Sequence, residues 1–525
     1  MDHLPSSANP LSLKQMTVMR KCFFFFSLLC ITVVATAQKK AAKFQLTNTQ
    51  VANAFDMYVQ SALQTWKTPG ISVAVVKDGK IVFKKGYGVR ELGKPEPYTS
   101  TTLSTCASTT KAMTAVCMGI LVDEGKVKWT DIVANILPEF KLSDPYVTSQ
   151  ITVKDLFTHN AGLGNADQLW VYGYGRSEIL QRMHSLPLAY SLRADFIYQN
   201  LMYLVAGEVI KKVSGKVWDE FIQEKLFTAL GMTRTYPDYS KVPLTEQTGL
   251  HFKDNDTIKV IRYTHNDNIG PVGGVWSCAD DMSKWMQFLL DSTRINGKRI
   301  LKPETFAELF KPQSIVSEPE FYPTKTITKP HWKTYGLGWF QQDYRGQMIQ
   351  FHTGSLDGLV AILGMIPEQH FAIYIFGNLD HSEIRHALMF KAFDLWCFND
   401  TSKDWSNDFY KMYTALSDSA KVKEKENDSK RVTGTNPSLP LENYTGKFIN
   451  ESFGNAEVVN ENGKLIVKLP DNYTMKLTHW NYDTFRGEFS NWWYGKTNVQ
   501  FLLNANGTVS GLSVDGTSYK KEIAK

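Results

Sequence analysis

The chain changes its hydrophobic period twice along its length, and this limits the folds open to it more than any other feature. Residues 71–76 and 80–87 are strand-like runs around the turn Lys77-Asp78-Gly79. From residue 108 to residue 290 the pattern becomes helical, with helices predicted over 108–123, 201–213, 217–230 and 280–290 and Gly231 as the stop of the third. Strand patterns then return over 335–340, 347–351, 359–366 and 371–376, followed by a last helix over 382–398. An amphipathic helix over 47–66 precedes all of this. Strands at both ends with helices between them do not alternate as βαβ units must. The expectation is an α+β domain over residues 44–400, its sheet assembled from distant segments and interrupted by an all-helical insertion.

Two further regions flank that domain. Residues 401–440 are rich in charged and small polar residues, with the run Lys421-Val422-Lys423-Glu424-Lys425-Glu426, and read as a linker that can begin as a helix. Residues 441–525 alternate short strands with the turns Asn462-Gly463, Asp471-Asn472, Asn506-Gly507 and Asp515-Gly516, which predicts a small all-β barrel or sandwich. At the other end, Met19-Arg20-Lys21, an apolar run over 22–35 and Ala35-Thr36-Ala37 have the layout of an export signal. Residues 1–37 are therefore expected to be a signal peptide cleaved near Ala37, with the true start at Met16 or Met19. The mature chain would be periplasmic or extracellular. No later run reaches the ~18 apolar residues of a membrane span, so none is expected there.

The 58 basic and 52 acidic residues leave a net charge of +6, and the basic ones form no dense stripe. That argues against a nucleic-acid partner. Cys106, Cys117, Cys278 and Cys397 remain after cleavage. They contain no C-x-x-C and no zinc spacing, so neither a metal nor another cofactor is expected. Three disulfide connectivities stay open, with buried thiols as the default.

Three short motifs carry the chemistry. Ser108-Thr109-Thr110-Lys111 begins the apolar helix, so Lys111 lies one turn after Ser108 on the same face. Burial beside a helix N-terminus favours a neutral amine, which can take the serine proton. Tyr198-Gln199-Asn200 precedes another helix. A phenol with a lowered pKa near a lysine can pass protons, and an Asn can hold a substrate amide and tie down the lysine. His352-Thr353-Gly354-Ser355 ends a predicted strand. Gly354 permits close backbone approach, the strand edge can pair with an extended substrate, and the Ser355 N–H can serve an oxyanion.

The order of these motifs, about 90 and then about 150 residues apart, resembles the serine penicillin-recognising superfamily. The likeness is to the branch of class C β-lactamases, D-alanyl-D-alanine carboxypeptidases and related esterases. Residues 151–163, Leu230-Gly231-Met232 and Gly273-Gly274 extend it across about residues 45–400. The resemblance implies a β-lactamase/transpeptidase-like fold, an antiparallel sheet flanked by helices. It makes Ser108 the acylated nucleophile, Lys111 its base and Tyr198 the proton shuttle. Asn200, His352, Thr353, Gly354 and Ser355 would bind substrate, with His352 near a substrate carboxylate. His352 replaces the lysine of most class C β-lactamases, and a histidine grips an anion less firmly at neutral pH. The implied function is a secreted serine hydrolase acting on peptides, including those with D-residues, amides or esters. A β-lactamase and a non-turnover penicillin-binding sensor or scaffold are the alternatives. Specificity would rest on cleft-wall loops around residues 165–176 and 313–334. The C-terminal region, with Asn443-Tyr444-Thr445-Gly446, resembles a small β domain appended to such hydrolases. Lipocalin-like versions of it contribute to oligomer assembly. Trp480, Trp492, Trp493 and Tyr494 there are candidates for a binding surface or a cap on the cleft.

Overall fold

A computed structural model describes residues 46–523 apart from 265–266, 292–293 and 296–297. The expected signal peptide lies outside the described residues.

Eight strands form one antiparallel sheet: β1 (Gly70–Lys77), β2 (Lys80–Gly88), β3 (Ser314–Ile315), β4 (Lys333–Tyr335), β5 (Phe340–Tyr344), β6 (Gln347–Leu356), β7 (Leu359–Ile366) and β8 (Phe371–Gly377). Their order is β2-β1-β8-β7-β6-β5-β4-β3. The join between the two sequence ends is β1 against β8, with Ile71 opposite Gly377 and Lys77 opposite Phe371. Every residue from Gly70 to Val76 is buried, so both faces of β1 are covered.

Strand alternation sorts the two faces. Ala74, Tyr374 and Leu363 lie in register on one face. They share a core with α2 (Thr110–Asp123), α3 (Leu201–Ser214) and α4 (Ala279–Leu290). Val75, Ile373 and Gly364 lie on the other, where Met389 of α5 (Ile384–Ala392) packs against Gly364. On that side Phe55 of α1 (Asn48–Trp66) meets Phe83 and Trp396 edge-on. Helix α2 is buried on all its faces from Thr110 to Leu121. Its sequence has no polar stripe, which fits a helix held between sheet and helical layer rather than at the surface.

One expectation needs correction, and the helix allowed at the start of 401–440 is a long one. Residues 335–340 are not one strand: β4 ends at Tyr335 and β5 starts at Phe340. Between them Gly338 takes φ +88° where a Cβ would come within 2.9 Å of Ala112, so the chain turns to clear α2. Residues 401–440 are mostly helix, α6 (Trp405–Ser429), started by Asp404 accepting from the Asn407 N–H. Only Trp405, Ser406 and Phe409 are buried on α6, and its charged half is a solvated surface.

The C-terminal region closes into an eight-stranded barrel, β9 (Gly446–Asn450), β10 (Gly454–Glu461), β11 (Lys464–Lys468), β12 (Thr474–Asn481), β13 (Thr484–Phe489), β14 (Lys496–Leu503), β15 (Val509–Val514) and β16 (Thr517–Lys521). Each strand pairs with the next, and Phe448 opposite Lys521 shuts the ring. Alternate residues such as Phe448, Val458, Val467, Met475, Phe485 and Phe501 fill its interior. The Asn462-Gly463 and Asp515-Gly516 turns have positive φ at both residues, as two-residue hairpins need. Trp493 Nε1 and Tyr494 Oη donate to Asp357 Oδ2 of the main body at 3.0 and 2.6 Å. The Arg431 and Arg486 guanidinium groups lie 4.6 and 4.1 Å from the centre of the Trp480 ring. These aromatics therefore serve contacts within the chain.

Candidate active site

Ser108 sits in a 3-10 turn, Ala107–Thr109, that runs straight into α2. Ala107 before it has φ +43°, a strained conformation for a residue with a side chain. The turn is fixed from the sheet: Thr109 Oγ1 and Tyr374 Oη are 2.6 Å apart. Lys111, three residues on, has no exposed surface, and its Nζ lies 2.9 Å from Ser108 Oγ and 3.3 Å from the Val272 carbonyl. Burial lowers its pKa to about 7, with the charge of Asp167 opposing the shift. Near neutral pH a large fraction of Lys111 is therefore a free amine within reach of the serine proton.

Tyr198 places its ring 5.0 Å from Lys111 Nζ. Its hydroxyl is buried and meets no partner at full hydrogen-bond geometry. Burial raises its pKa well above 10, and the nearby Ser108 hydroxyl offsets part of that. The lowered phenol pKa expected from the sequence is thus reversed, and Tyr198 is a neutral phenol. His159, not expected at the site, lies against the Tyr198 ring at 4.4 Å, tilted by 38°, and accepts the Gln199 N–H at Nδ1, 3.3 Å away. Asn200 does not reach Lys111. Its Nδ2 donates to both oxygens of Asp167, at 3.0 and 3.1 Å.

Strand β6 runs beside the nucleophile. Its pairing with β5 stops at Phe351 opposite Phe340, while its pairing with β7 continues to Leu356. One edge of residues 352–356 is therefore free of sheet partners. A Cβ on Gly354 would come within 2.4 Å of the Cys106 carbonyl and 3.0 Å of Ser108 N, so only glycine lets the strand lie this close. Thr353 and Ser355 line the cavity over Ser108. His352 does not. It pairs with Leu363, which places its ring on the α2 side, buried. Nδ1 contacts the Thr353 carbonyl at 2.6 Å, so it carries the proton, and Nε2 accepts from Tyr335 Oη at 2.9 Å. Burial, aided by Lys111, pushes its pKa down to about 3. The expected contact of His352 with a substrate carboxylate is replaced by a neutral, internally bonded imidazole.

The cavity over Ser108 has a volume of about 340 Å³. Besides residues of the three motifs it is walled by Asp167, Trp170, Glu320, Tyr322 and Phe340. The first four come from the two loops expected to form the cleft walls, but no sequence motif marks them individually. A larger hollow of about 930 Å³, near Asp78 and Lys284, contains none of the motif residues. Arg385 lies behind β6 and donates to Ser355 Oγ at 2.9 Å, but its charge is paired with Glu383 at 3.0 Å. All four cysteines of the described residues are free thiols.

Residues 55–392 match the family described as Beta-lactamase. Residues 430–524 match a domain of unknown function, DUF3471. The chain is 26% identical over 417 residues to an unguisins hydrolase of Aspergillus campestris, covering 75% of each chain. It is 24% identical over 329 residues to protein flp of Staphylococcus aureus, covering 62% of each. Among solved structures, an octameric penicillin-binding protein homologue from Pyrococcus abyssi superposes with a TM-score of 0.58 at 20% identity, over 89% of this chain and 99% of that one. SurE with D-Leu gives a TM-score of 0.53 at 16% identity, over 90% and 99%. These two likenesses concern the fold.

Proposed function

The chain belongs to the Beta-lactamase family, and from that premise we propose that it is a serine hydrolase acting through an acyl-enzyme on Ser108. The observation that carries the proposal is the buried Lys111 amine, with a pKa of about 7, lying 2.9 Å from Ser108 Oγ. Neutral Lys111 takes the Ser108 proton as Oγ bonds to the substrate carbonyl carbon. The backbone N–H groups of Ser108 and Ser355 receive the oxyanion. The bond to the leaving amine or alcohol then breaks, and the proton held by Lys111 passes to that group, directly or through the Tyr198 hydroxyl. Water attacks the acyl-enzyme with Lys111 again as base, which releases the acid and restores Ser108. Because Tyr198 holds its proton well above pH 10, it relays protons as a phenol.

Peptides, amides and esters are the proposed substrates, with D-residues among them. The hydrolase named for unguisins and the D-Leu bound by SurE support this choice. A neutral His352 supports these over a β-lactamase, since β-lactams present a carboxylate that calls for a cation. The signal-peptide pattern supports export, and among the described residues no helix is long and apolar enough to cross a membrane. The octameric state named for the Pyrococcus abyssi structure supports oligomerisation of this chain.

Intact-protein mass after mixing with a fluorophosphonate, and separately with penicillin, tests the mechanism against a Ser108→Ala control. A fluorophosphonate adduct that requires Ser108, with turnover of a peptide or ester, is the expected result. An unlabelled wild type, or labelling that persists in Ser108→Ala, would defeat it. Catalytic consumption of penicillin would restore the β-lactamase reading.

A further inference from the structure

Among the described residues, the cavity over Ser108 offers hydrogen-bond acceptors and negative charge but no Lys, Arg or His in its lining. Asp167 and Glu320 both line it. Asp167 accepts from the side-chain amides of Asn200 and, at 3.2 Å, Asn165. Glu320 Oε2 accepts the Tyr198 N–H at 3.0 Å. Neither carboxylate forms an ion pair among the described residues. Of the nearby basic groups among the described residues, Arg385 is paired with Glu383, His352 is neutral, and Lys111, titrating near 7, is held by Ser108 Oγ and the Val272 carbonyl.

Asn200 holds Asp167 in place, because only the NH2 end of its amide can donate to a carboxylate. A second observation points to the same ligand charge. Trp170, Tyr322 and Phe340 line the same cavity, and aromatic faces attract a cation.

We propose that this site selects substrates carrying a free ammonium group close to the scissile carbonyl, held by Asp167 with Glu320 as a further acceptor. The class comprises amino-acid esters and amides and peptides with an unblocked amino terminus. The proposal deepens the hydrolase reading and rests on it for the chemistry, though not for the binding. It also couples binding to the base. The Asp167 charge favours the protonated form of Lys111, so an ammonium that neutralises Asp167 shifts Lys111 toward the free amine as the substrate arrives.

The test compares D- and L-alanine p-nitroanilide with their N-acetyl forms. Binding to full-length Ser108→Ala is measured by calorimetry, and hydrolysis by the wild type is followed in parallel. The free amines should bind about tenfold or more tightly than the N-acetyl compounds, equivalent to about 1.4 kcal/mol. Adding Asp167→Asn should erase that preference while N-acetyl binding persists, and Glu320→Gln should reduce it. In the wild-type background, Asp167→Asn should also move the acid limb of kcat/KM to lower pH. Equal or stronger binding of the N-acetyl compounds, or equal loss of both in Asp167→Asn, overturns the proposal. Should Asp167→Asn fail to fold, the amine-to-acetyl ratio and Glu320→Gln decide. If Ser108 resists fluorophosphonate while the amine preference stands, the hydrolase reading fails and the ammonium site survives. If Ser108 is labelled and the preference is absent, the reverse holds.

Discussion

Replacing Lys111 with Met should abolish turnover and stabilise the protein, by an amount that shrinks as the pH rises. Lys111 has no exposed surface, and burial lowers its pKa from 10.5 to about 7. Below the folded pKa both states carry the proton, and the folded state bears the full penalty of a buried ammonium. Between the two pKa values the unfolded chain binds a proton that the folded chain does not. Stability from this group therefore rises with pH in that window, by up to about 1.4 kcal/mol per unit. From about pH 7 to about pH 9 the gain integrates to about 2 kcal/mol, allowing for half-titration at the lower end. Met keeps the apolar stem and removes the titration. Denaturant unfolding of both proteins at the two pH values measures the difference. The Met variant should be the more stable at each, with its lead about 2 kcal/mol smaller at the higher pH. The wild-type kcat/KM should rise with pH and level off above about 7 as the free amine accumulates. His352, near 3, adds no inflection of its own in that range, and burial lowers His159 as well. A stability gap that stays the same at both pH values, or a rate that is flat from about pH 5 to about pH 9, would refute the assignment of Lys111 as a buried neutral base.

Three further substitutions probe the scaffold around this lysine. Gly354→Ala puts a Cβ where the Cys106 carbonyl stands 2.4 Å away. It should lower kcat on the order of 100-fold by moving β6 off Ser108, with circular dichroism unchanged. Asp357→Ala removes the acceptor shared by Trp493, Tyr494 and Thr264. It should lower stability by about 2 kcal/mol and raise proteolysis near residues 430–440, and unchanged proteolysis would mean the barrel is held by other contacts. Ala107→Gly relieves φ +43°. It should raise stability by up to about 1 kcal/mol, opposite to the usual sign for Ala→Gly, as read from the unfolding midpoint.

What could be read from the sequence divides by the range over which each requirement acts. The turns Asp78-Gly79, Asn462-Gly463 and Asp515-Gly516 all place two residues at positive φ, a demand met within two positions and so visible in composition. Thr152 and Asp155 are as local: Asp155 Oδ2 accepts from Thr152 N and Oγ1 at 2.8 and 2.6 Å, a capping box with Asp in place of Glu. Ser108 and Lys111 meet because three residues make one helical turn, and their spacing alone predicts the contact. Asp167 and Glu320 obey no such rule. Their loops were legible as cleft walls, but which residue of each loop faces Ser108 depends on packing across the domain. The register of β6 lies between these cases. Gly354 has to face the nucleophile turn, since nothing larger fits there, and alternation then turns His352 to the same buried side. The same alternation leaves Thr353 and Ser355 to line the cavity. Counting two residues back from the glycine thus removes the one cation that the motif reading placed in the cleft. The charge of the site then falls to the two loop carboxylates, and the choice of substrate is carried by residues with no motif.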